Sequence, residues 1–491
     1  MTRFCQVRNF LTSRFASCLL PIVCVFACLF VAAHAGAQST EVALKNIGTR
    51  KAGVDWPIFL GATQDSKSPE KGIIAKWTAN KPRIVWQAEL GTGYGAPTVA
   101  KGRLFQFDRF GNKARVYSLN AETGKELWRY EHATDYEDYF NYNNGPRCSP
   151  VADGNRVYAY GAEGMFTCLT ADEGKLVWQV DTKKDFGVVQ NFFGVGSTPV
   201  IEGDLLIVMV GGSPAWAQQL GALQLERVEG DGSGIVAFDK FTGKVKYKIT
   251  DELASYASLK VETINGRRWC LAFCRGGLIG FEPKSGKVDF EYPWRAKLLE
   301  SVNASMPVVV GDEVFISETY GPGSTLLKVS PGSSEIVWKD DDRRRQKAMM
   351  THWNTPVYHD GYLYGSSGRH TENAELRCIE WKTGKVMWSE PGLTRSSLLY
   401  VDGHFICQAE YGQLIVFKAN PQKYEPVSEV ELQAPNVAGP ALGPTPQLPA
   451  REAARQLLKY PCWAAPVLSH GLLYVRGDDR LVCLELIPEK S

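Results

Sequence analysis

The stretch that decides the fold is Asn120-Ala121-Glu122-Thr123-Gly124-Lys125-Glu126-Leu127-Trp128. It follows the apolar run Val116-Tyr117-Ser118-Leu119 and ends a second short run on a tryptophan. Short apolar runs bounded by Thr-Gly are typical of β-hairpins, and helical periodicity is almost absent from the chain. The stretch therefore predicts a tight turn between two strands, with the tryptophan on the second strand.

The same unit returns along the chain, which indicates a repeat architecture. Most copies open on a step that contains Pro and Val, at residues 96–99, 149–151, 198–200, 306–308, 355–357 and 465–467. Most close on an aromatic residue, and these are Trp128, Trp178, Tyr247, Phe290, Trp338 and Trp388. Four-stranded units spaced by roughly 40 to 50 residues predict the blades of an all-β propeller.

The eighth copy is incomplete, because the chain ends after the run 481–486 without an aromatic fourth strand. The run Arg83-Ile84-Val85-Trp86, ahead of the first copy, has the pattern of a fourth strand. Pairing the two hides both exposed sheet edges. The sequence thus predicts an eight-bladed β-propeller over 83–491 that is closed by an N-terminal strand, preceded by a lead-in segment at 38–82 and carrying a Pro/Ala-rich insertion at 432–464.

Residues 1–37 have the pattern of a secretory signal peptide. Arg3, Arg8 and Arg14 precede the apolar run 15–33, which ends in Ala33-His34-Ala35. This small-x-small site predicts a mature chain that begins near Gly36 or Gln38. An uncleaved membrane anchor and lipidation at Cys28 are the alternatives. Export to the periplasm or cell envelope is expected.

Charge and cysteine content exclude several classes of protein. The formal net charge is +2, and removal of the three signal arginines leaves a nearly neutral chain, so no nucleic-acid partner is expected. Eight of the 12 cysteines lie outside the signal. Cys168, Cys378 and Cys483 occupy one repeat-equivalent position, where packing explains them. The spacing of cysteines and histidines predicts no metal site.

The long connections between strands and between blades are expected on one face of the ring, which we call the loop face, and binding residues concentrate on such loops. Residues just before each innermost strand should rim the central channel there. These rim residues are Tyr94, Arg147, Asn303, His352, Trp353, Asn354, Arg395 and Trp463. Their arginines could pair with an anionic ligand and their aromatic rings could stack on a planar one. Alternatively, Arg147 and Asn354 satisfy backbone carbonyls.

An aromatic loop at 136–142 adds a second candidate feature of the loop face. Tyr136, Tyr139 and Tyr142 lie within it and form a possible lid, although packing over a neighbouring loop explains them almost as well. No catalytic residue is assigned, because the sequence contains neither a phosphate-binding Gly-Lys-Ser loop nor a Gly-x-Ser-x-Gly turn.

The stretch 120–128 resembles the blade signature of the pyrroloquinoline-quinone (PQQ) repeat, or quinoprotein-like, propellers. The segments Asp55-Trp56-Pro57-Ile58-Phe59 and Gly145-Pro146-Arg147-Cys148-Ser149-Pro150 are similar to an exported bacterial branch of that family. The family includes a propeller lipoprotein of outer-membrane protein assembly as well as alcohol and sugar dehydrogenases. The resemblance implies the fold and leaves the function open.

Two functions follow from the resemblance. The first is a non-catalytic binding or assembly scaffold of the cell envelope, without a cofactor, that takes a protein, glycan or small-molecule partner on its loop face. The second is a dehydrogenase with PQQ and calcium at the mouth of the channel and an aspartate as base. The chain lacks the adjacent Cys-Cys pair and the cytochrome segment of such enzymes and offers no assignable calcium ligands. We therefore favour the scaffold.

Overall fold

The structure is a computed structural model of the 491-residue chain, and it describes residues 43–77, 82–340, 346–433 and 456–489. The signal segment and most of the Pro/Ala-rich insertion lie outside the described residues. Eight separate sheets account for nearly all of the regular structure. The predicted eight-bladed all-β propeller is therefore confirmed.

The first four blades each contain four consecutive strands. Blade 1 has β3 (Thr98–Ala100), β4 (Arg103–Phe110), β5 (Lys113–Asn120) and β6 (Glu126–Ala133). Blade 2 has β7 (Val151–Asp153), β8 (Arg156–Tyr160), β9 (Met165–Thr170) and β10 (Leu176–Asp181). Blade 3 has β11 (Val200–Glu202), β12 (Leu205–Met209), β13 (Ile235–Asp239) and β14 (Val245–Ile249). Blade 4 has β15 (Lys260–Ile264), β16 (Arg267–Phe273), β17 (Gly277–Phe281) and β18 (Val288–Pro293).

The other four blades include both strands that precede blade 1. Blade 5 has β19 (Val308–Val310), β20 (Glu313–Glu318), β21 (Gly323–Ser330) and β22 (Ser333–Lys339). Blade 6 has β23 (Val357–His359), β24 (Tyr362–Ser367), β25 (Glu375–Glu380) and β26 (Val386–Pro391). Blade 7 has β27 (Ser397–Val401), β28 (His404–Gln408), β29 (Gln413–Lys418) and β30 (Pro426–Glu431), with β1 (Lys67–Ser68) added beside β27. Blade 8 has β31 (Val467–Ser469), β32 (Leu472–Arg476), β33 (Arg480–Glu485) and β2 (Arg83–Glu89).

Strand β2 closes the ring as predicted, because it pairs antiparallel with β33 and becomes the fourth strand of blade 8. Its Trp86 lies opposite Cys483, in the same register as Trp178 opposite Cys168 in blade 2. The Trp86 indole Nε1 donates a hydrogen bond of 2.9 Å to the Ala121 carbonyl in blade 1. The closing strand therefore uses the same contacts as the internal repeats.

The Thr-Gly-Lys motif has a structural role that repeats around the ring. The outer-strand tryptophan of one blade donates to a carbonyl beside the Thr-Gly turn of the next, as Trp338 does to Trp381, ahead of Thr383-Gly384, at 2.8 Å. The glycine of that turn has a positive φ and lies under the tryptophan ring. At Gly124, φ is 72° and an added Cβ would lie 2.8 Å from the Trp86 ring. The repeat motif thus links adjacent blades.

The eight described cysteines are all buried and unbridged. Cys168, Cys378 and Cys483 each lie between a tyrosine of the second strand and a tryptophan of the fourth. Burial raises the pKa of the Cys378 thiol to about 12. These thiols pack as small apolar side chains.

The lead-in segment crosses the central channel. Trp56 pairs with Val99 of the innermost strand of blade 1, and Pro57 accepts a hydrogen bond from the Ala152 amide of blade 2. Further along, the segment bonds to blade 4 through Gln64, and β1 pairs in parallel with β27 of blade 7. A chain that bonds in turn to the inner edges of blades 1, 2, 4 and 7 must pass across the ring. The sequence did not predict this crossing.

Among the described residues, helical structure occurs only in short connections. These are α1 (Thr182–Asp185) and three 3₁₀ turns at Ala215–Gln219, Ala222–Arg227 and Thr371–Asn373. Within the described ranges, no helix has the length and apolar character needed to cross a membrane.

Candidate functional site

A cavity of about 690 Å³ lies at the centre of the ring. Its lining comes mainly from residues just before the innermost strands, such as Tyr94, Arg147 and Trp463, so the cavity opens on the loop face. The lead-in residues Phe59 and Leu60 also line it. Because the lead-in segment bonds to the innermost strands themselves, it closes the cavity towards the opposite face. The cavity has the size of a small-molecule site.

One side of the cavity is a continuous arc of rings, which we call the aromatic wall. It runs from Tyr94 to Trp463 with ring centroids 4.7 Å apart, and from Trp463 to Trp353 at 4.4 Å. It continues to His352 at 4.5 Å and to Tyr320 at 5.6 Å. The wall joins residues from the junctions of blades 8 and 1, 7 and 8, and 5 and 6. Four of its five members, Tyr94, His352, Trp353 and Trp463, are rim residues that the sequence predicted. The fifth, Tyr320, was not predicted.

Arg395 fixes the two tryptophans of the wall. Its guanidinium carbon lies 4.5 Å from the Trp353 ring centroid and 5.5 Å from that of Trp463. The Arg395 Nε donates to Glu410 Oε2 at 3.0 Å, and the Trp463 indole Nε1 donates to Glu410 Oε1 at 2.8 Å. Glu410 is fully buried. A buried charge needs such a partner, so Arg395 and Glu410 form a unit that orients the wall.

Arg147 is paired in the same manner beneath Tyr94. Its guanidinium donates to the buried Asp138 carboxylate and, at 2.7 Å, to the Asn143 carbonyl. It also lies 5.7 Å from the Tyr94 ring centroid and 5.3 Å from that of Tyr136. These contacts match the structural alternative, in which Arg147 satisfies backbone carbonyls and orders the aromatic loop.

His352 is a neutral member of the wall. Its Nε2 lies 3.0 Å from the Tyr320 hydroxyl. Burial, aided by the positive charges of Arg395 and Arg369, holds the pKa of His352 well below its ordinary value. The ring therefore carries no charge at neutral pH.

Three charged side chains of the lining have no hydrogen-bond or ion-pair partner among the described residues. Arg369 lies with its guanidinium carbon 4.3 Å from the Tyr320 ring centroid, at the end of the aromatic wall. Glu300 and Glu372 line the cavity as acids. Sequence reasoning missed all three. Arg369 lies in the connection between β24 and β25, for which the sequence predicted no candidate residue.

The opposite side of the cavity comes from the aromatic loop and from the connection that follows blade 2. Phe140 and Tyr142 line the cavity together with Phe193 and Tyr256. Phe193 lies 5.7 Å from Phe140 and 6.1 Å from Tyr142 between ring centroids. The Phe193 amide donates to the Tyr256 hydroxyl at 2.9 Å.

The three tyrosines of the possible lid have different positions. Tyr142 lines the cavity and is 65% exposed, so it stands at the rim. Tyr139 is exposed and contacts Phe192 edge to face, outside the cavity lining. Tyr136 is buried against Arg147. The structure therefore brings only Tyr142 of the three to the cavity.

The two asparagines among the rim residues support the backbone. Asn303 is buried, outside the lining, and its Nδ2 donates to the carbonyl of Cys274 at 2.8 Å and of Trp294 at 3.1 Å. Asn354 touches the cavity, while its Nδ2 donates to the Ser396 carbonyl at 2.8 Å. Seven of the eight rim residues thus surround one cavity, and Asn303 does not.

Comparison with known protein families identifies the repeat. The sequence profile of a PQQ-repeat family, described as outer membrane protein assembly factor BamB, matches residues 68–136 and 112–390. A polyvinylalcohol dehydrogenase from a Pseudomonas species is 27% identical over 240 residues, which cover 46% of this chain. The matched region spans only 34% of that relative, about a third of its length.

Two solved structures share the fold. BamB from Moraxella catarrhalis aligns over 83% of this chain and 99% of its own, at 12% identity and a TM-score of 0.52. Quinohemoprotein alcohol dehydrogenase from Comamonas testosteroni aligns over 89% of this chain and 82% of its own, at 11% identity and a TM-score of 0.57. At these identities the likeness concerns the fold alone, since one fold serves both proteins.

Proposed function

This chain belongs to the PQQ-repeat family of β-propellers, and from that premise we propose that it is an exported, non-catalytic binding protein of the cell envelope. It binds its partner at the loop face, with the central cavity as the recognition site. The partner is a protein, a glycan or a small molecule.

The observation that carries the proposal is the rigid construction of the aromatic wall. Arg395 and Arg147 are neutralised by the buried carboxylates of Glu410 and Asp138, so they position rings instead of presenting free charge. A wall of fixed rings binds at a small entropic cost, because the side chains are ordered before the ligand arrives. Because the blades that hold these rings are themselves rigid, the wall favours binding of a partner of complementary shape.

The enzyme alternative requires a quinone and a calcium ion, and the residues present do not fit the calcium. Calcium takes six to eight oxygen ligands, several of them carboxylates. Asp138 in the lining and Glu410 behind the aromatic wall already pair with arginines, so Glu300 and Glu372 are the unpaired carboxylates of the described lining. Within the described residues, no group of three or more His, Cys, Asp or Glu side chains could hold a metal ion. We therefore derive no reaction step through the quinone.

Site-specific photo-crosslinking in intact cells tests the proposed binding face. A photoreactive p-benzoylphenylalanine replaces Tyr142 at the cavity rim in one variant and Leu176 on an outer strand in the control. Tyr142 is 65% exposed and Leu176 is 48% exposed, so both probes can reach a partner and the two positions differ mainly in their location on the ring. We expect an adduct from position 142 only. Equal adducts at both positions, or none at position 142, would contradict the proposal.

A thermal-shift measurement tests the enzyme alternative. A ligand that binds only the native state raises Tm by mass action. We expect no rise when PQQ and calcium are added together at saturating concentration to the purified mature chain. A rise that disappears in Trp353→Ala would show that the cofactor occupies the cavity and would favour the dehydrogenase.

A further inference from the structure

We infer that the ligand of the central cavity is a neutral oligosaccharide of two to three sugar rings, and this rests on the proposed function. The inference combines three features of the lining. They are the aromatic wall, the guanidinium groups already placed against it, and the unpaired donor and acceptor side chains of the lining.

The aromatic wall offers flat apolar surface of the kind that sugar rings cover. A pyranose has faces of C–H groups, whose hydrogens carry partial positive charge, and aromatic faces carry partial negative charge. Trp463 and Trp353 lie 4.4 Å apart between centroids with their planes tilted by 43°, and Tyr94 and Tyr320 lie at the two ends of the arc. The arc contains five aromatic side chains, so it is long enough to contact a short chain of sugars and not only a single sugar ring.

The wall does not favour a cationic ligand, although aromatic cages commonly bind cations. Its rings already carry three guanidinium groups. Arg395 lies 4.5 Å from the Trp353 centroid, Arg369 4.3 Å from the Tyr320 centroid, and Arg147 5.7 Å from the Tyr94 centroid. A cationic ligand would need ring faces that these guanidinium groups already occupy.

The unpaired groups do not favour an anion or a purely apolar ligand. Glu300 and Glu372 line the cavity as unpaired carboxylates and would repel an anion. Arg369 donates hydrogen bonds only, and the two carboxylates accept them only. An apolar ligand would bury these groups without partners, which costs about 1–3 kcal/mol for each group. Sugar hydroxyls donate and accept, so a neutral sugar satisfies both kinds of group.

Isothermal titration of the mature full chain tests the inference. The probes are three neutral oligosaccharides, namely cellotriose, maltotriose and chitotriose, with trigalacturonate as the acidic counterpart of the same length. Arg369→Gln removes the unpaired guanidinium group with its charge and its forked set of donors, and Trp353→Ala removes the centre of the wall. Arg227→Gln and Trp216→Ala are matched controls, because both residues are exposed on the loop face outside the cavity lining.

We expect at least one neutral oligosaccharide to bind wild type and both controls equally. Arg369→Gln should weaken that binding about tenfold, which corresponds to about 1.4 kcal/mol, and Trp353→Ala should weaken it at least as much. The Arg369 side chain is half-buried and has no hydrogen-bond or ion-pair partner among the described residues, so Arg369→Gln keeps the test valid if Trp353→Ala misfolds.

The inference is overturned if no neutral oligosaccharide binds at about 10 mM, or if trigalacturonate binds more tightly than every neutral probe. Binding that Arg369→Gln and Trp353→Ala leave unchanged would overturn it as well. If these results coincide with an adduct at position 142 in the crosslinking experiment, only the choice of ligand is wrong. If position 142 also gives no adduct, the proposed function fails too.

Discussion

Glu318 shows how a single carboxyl group responds to burial beside the cavity wall. It ends strand β20, two residues before Tyr320, and is 1% exposed. The Ser301 hydroxyl donates to its Oε1 at 2.9 Å. Burial raises the pKa of Glu318 to about 7, and hydrogen bonds only partly offset that rise. The side chain therefore changes charge near neutral pH.

Glu318→Gln should make the protein more stable at alkaline pH and change it little at acid pH. The folded pKa is above the unfolded value of 4.5, so the unfolded state loses its proton first as pH rises. The free energy of unfolding of wild type then falls between pH 4.5 and about 7, because ionisation favours the unfolded state, in which the carboxylate is exposed to water. Glutamine avoids that cost, and we expect a gain of up to about 2 kcal/mol at pH 8.5.

Urea unfolding at pH 5 and pH 8.5 measures this difference. Glu335→Gln is the control, because Glu335 is an exposed glutamate on β22 of the same blade. Equal effects of the two substitutions at pH 8.5, or a loss of stability in Glu318→Gln at that pH, would contradict the expected burial cost.

The candidate site was partly predictable at the level of single residues. The repeat places Tyr94, Trp353 and Trp463 before innermost strands, and position alone brings them to the channel rim. Their partners were not predicted. Glu410 lies opposite Arg395 because the antiparallel pair β27–β28 places Ser397 against Gln408, and the same register carried two residues further brings Arg395 and Glu410 together. That register requires exact strand bounds, which the residue pattern did not supply. Arg369 lies in the connection between β24 and β25, which no repeat position covers.

At the scale of elements, the turn between the third and fourth strands is also a contact between blades. Gly124 has φ of 72°, and an added Cβ would lie 2.8 Å from the Trp86 ring. Gly203, in the first turn of blade 3, has φ of 59° and no atom within 4 Å of that position. Alanine at either position would strain the backbone, but only alanine at position 124 would also collide with a neighbouring tryptophan. Comparing the two substitutions therefore isolates the effect of the tryptophan contact.

Gly124→Ala should therefore destabilise the protein more than Gly203→Ala. Both substitutions pay the left-handed penalty of roughly 1 kcal/mol, and overpacking against Trp86 adds about 1–3 kcal/mol at Gly124 alone. Urea midpoints of the two variants measure the difference. If they lose equal stability, the tryptophan contact does not contribute, and the Thr-Gly motif serves only the turn.

At the scale of the whole molecule, the blade count and the closing strand followed from the repeat, whereas the path of the lead-in segment did not. The repeat predicts closure because Arg83-Ile84-Val85-Trp86 matches an outer strand in residue pattern. The segment around Trp56 matches no strand of the repeat. Its position depends on scattered contacts with four blades, which can be recognised only when the ring is complete.

The N-terminal region therefore performs two separable tasks, and two truncations distinguish them. A chain that starts at residue 71 lacks the crossing segment but keeps β2, the closing strand. A chain that starts at residue 91 lacks both. We expect the first to remain a monomeric propeller, because β2 still pairs with β33 and Trp86 still contacts blade 1. The second should aggregate, because it exposes the edge of β33.

Hydrogen exchange on the chain that starts at residue 71 locates the loss. In the full protein, the amides of Val99, Ala152 and Tyr400 donate to Trp56, Pro57 and Ser66 of the crossing segment, at 2.8, 2.8 and 2.9 Å. These three inner-edge amides should lose protection, because their acceptors are gone, while the amides of β33 should keep theirs. Loss of protection throughout blade 8 would instead mean that the crossing segment, and not β2 alone, holds the ring closed.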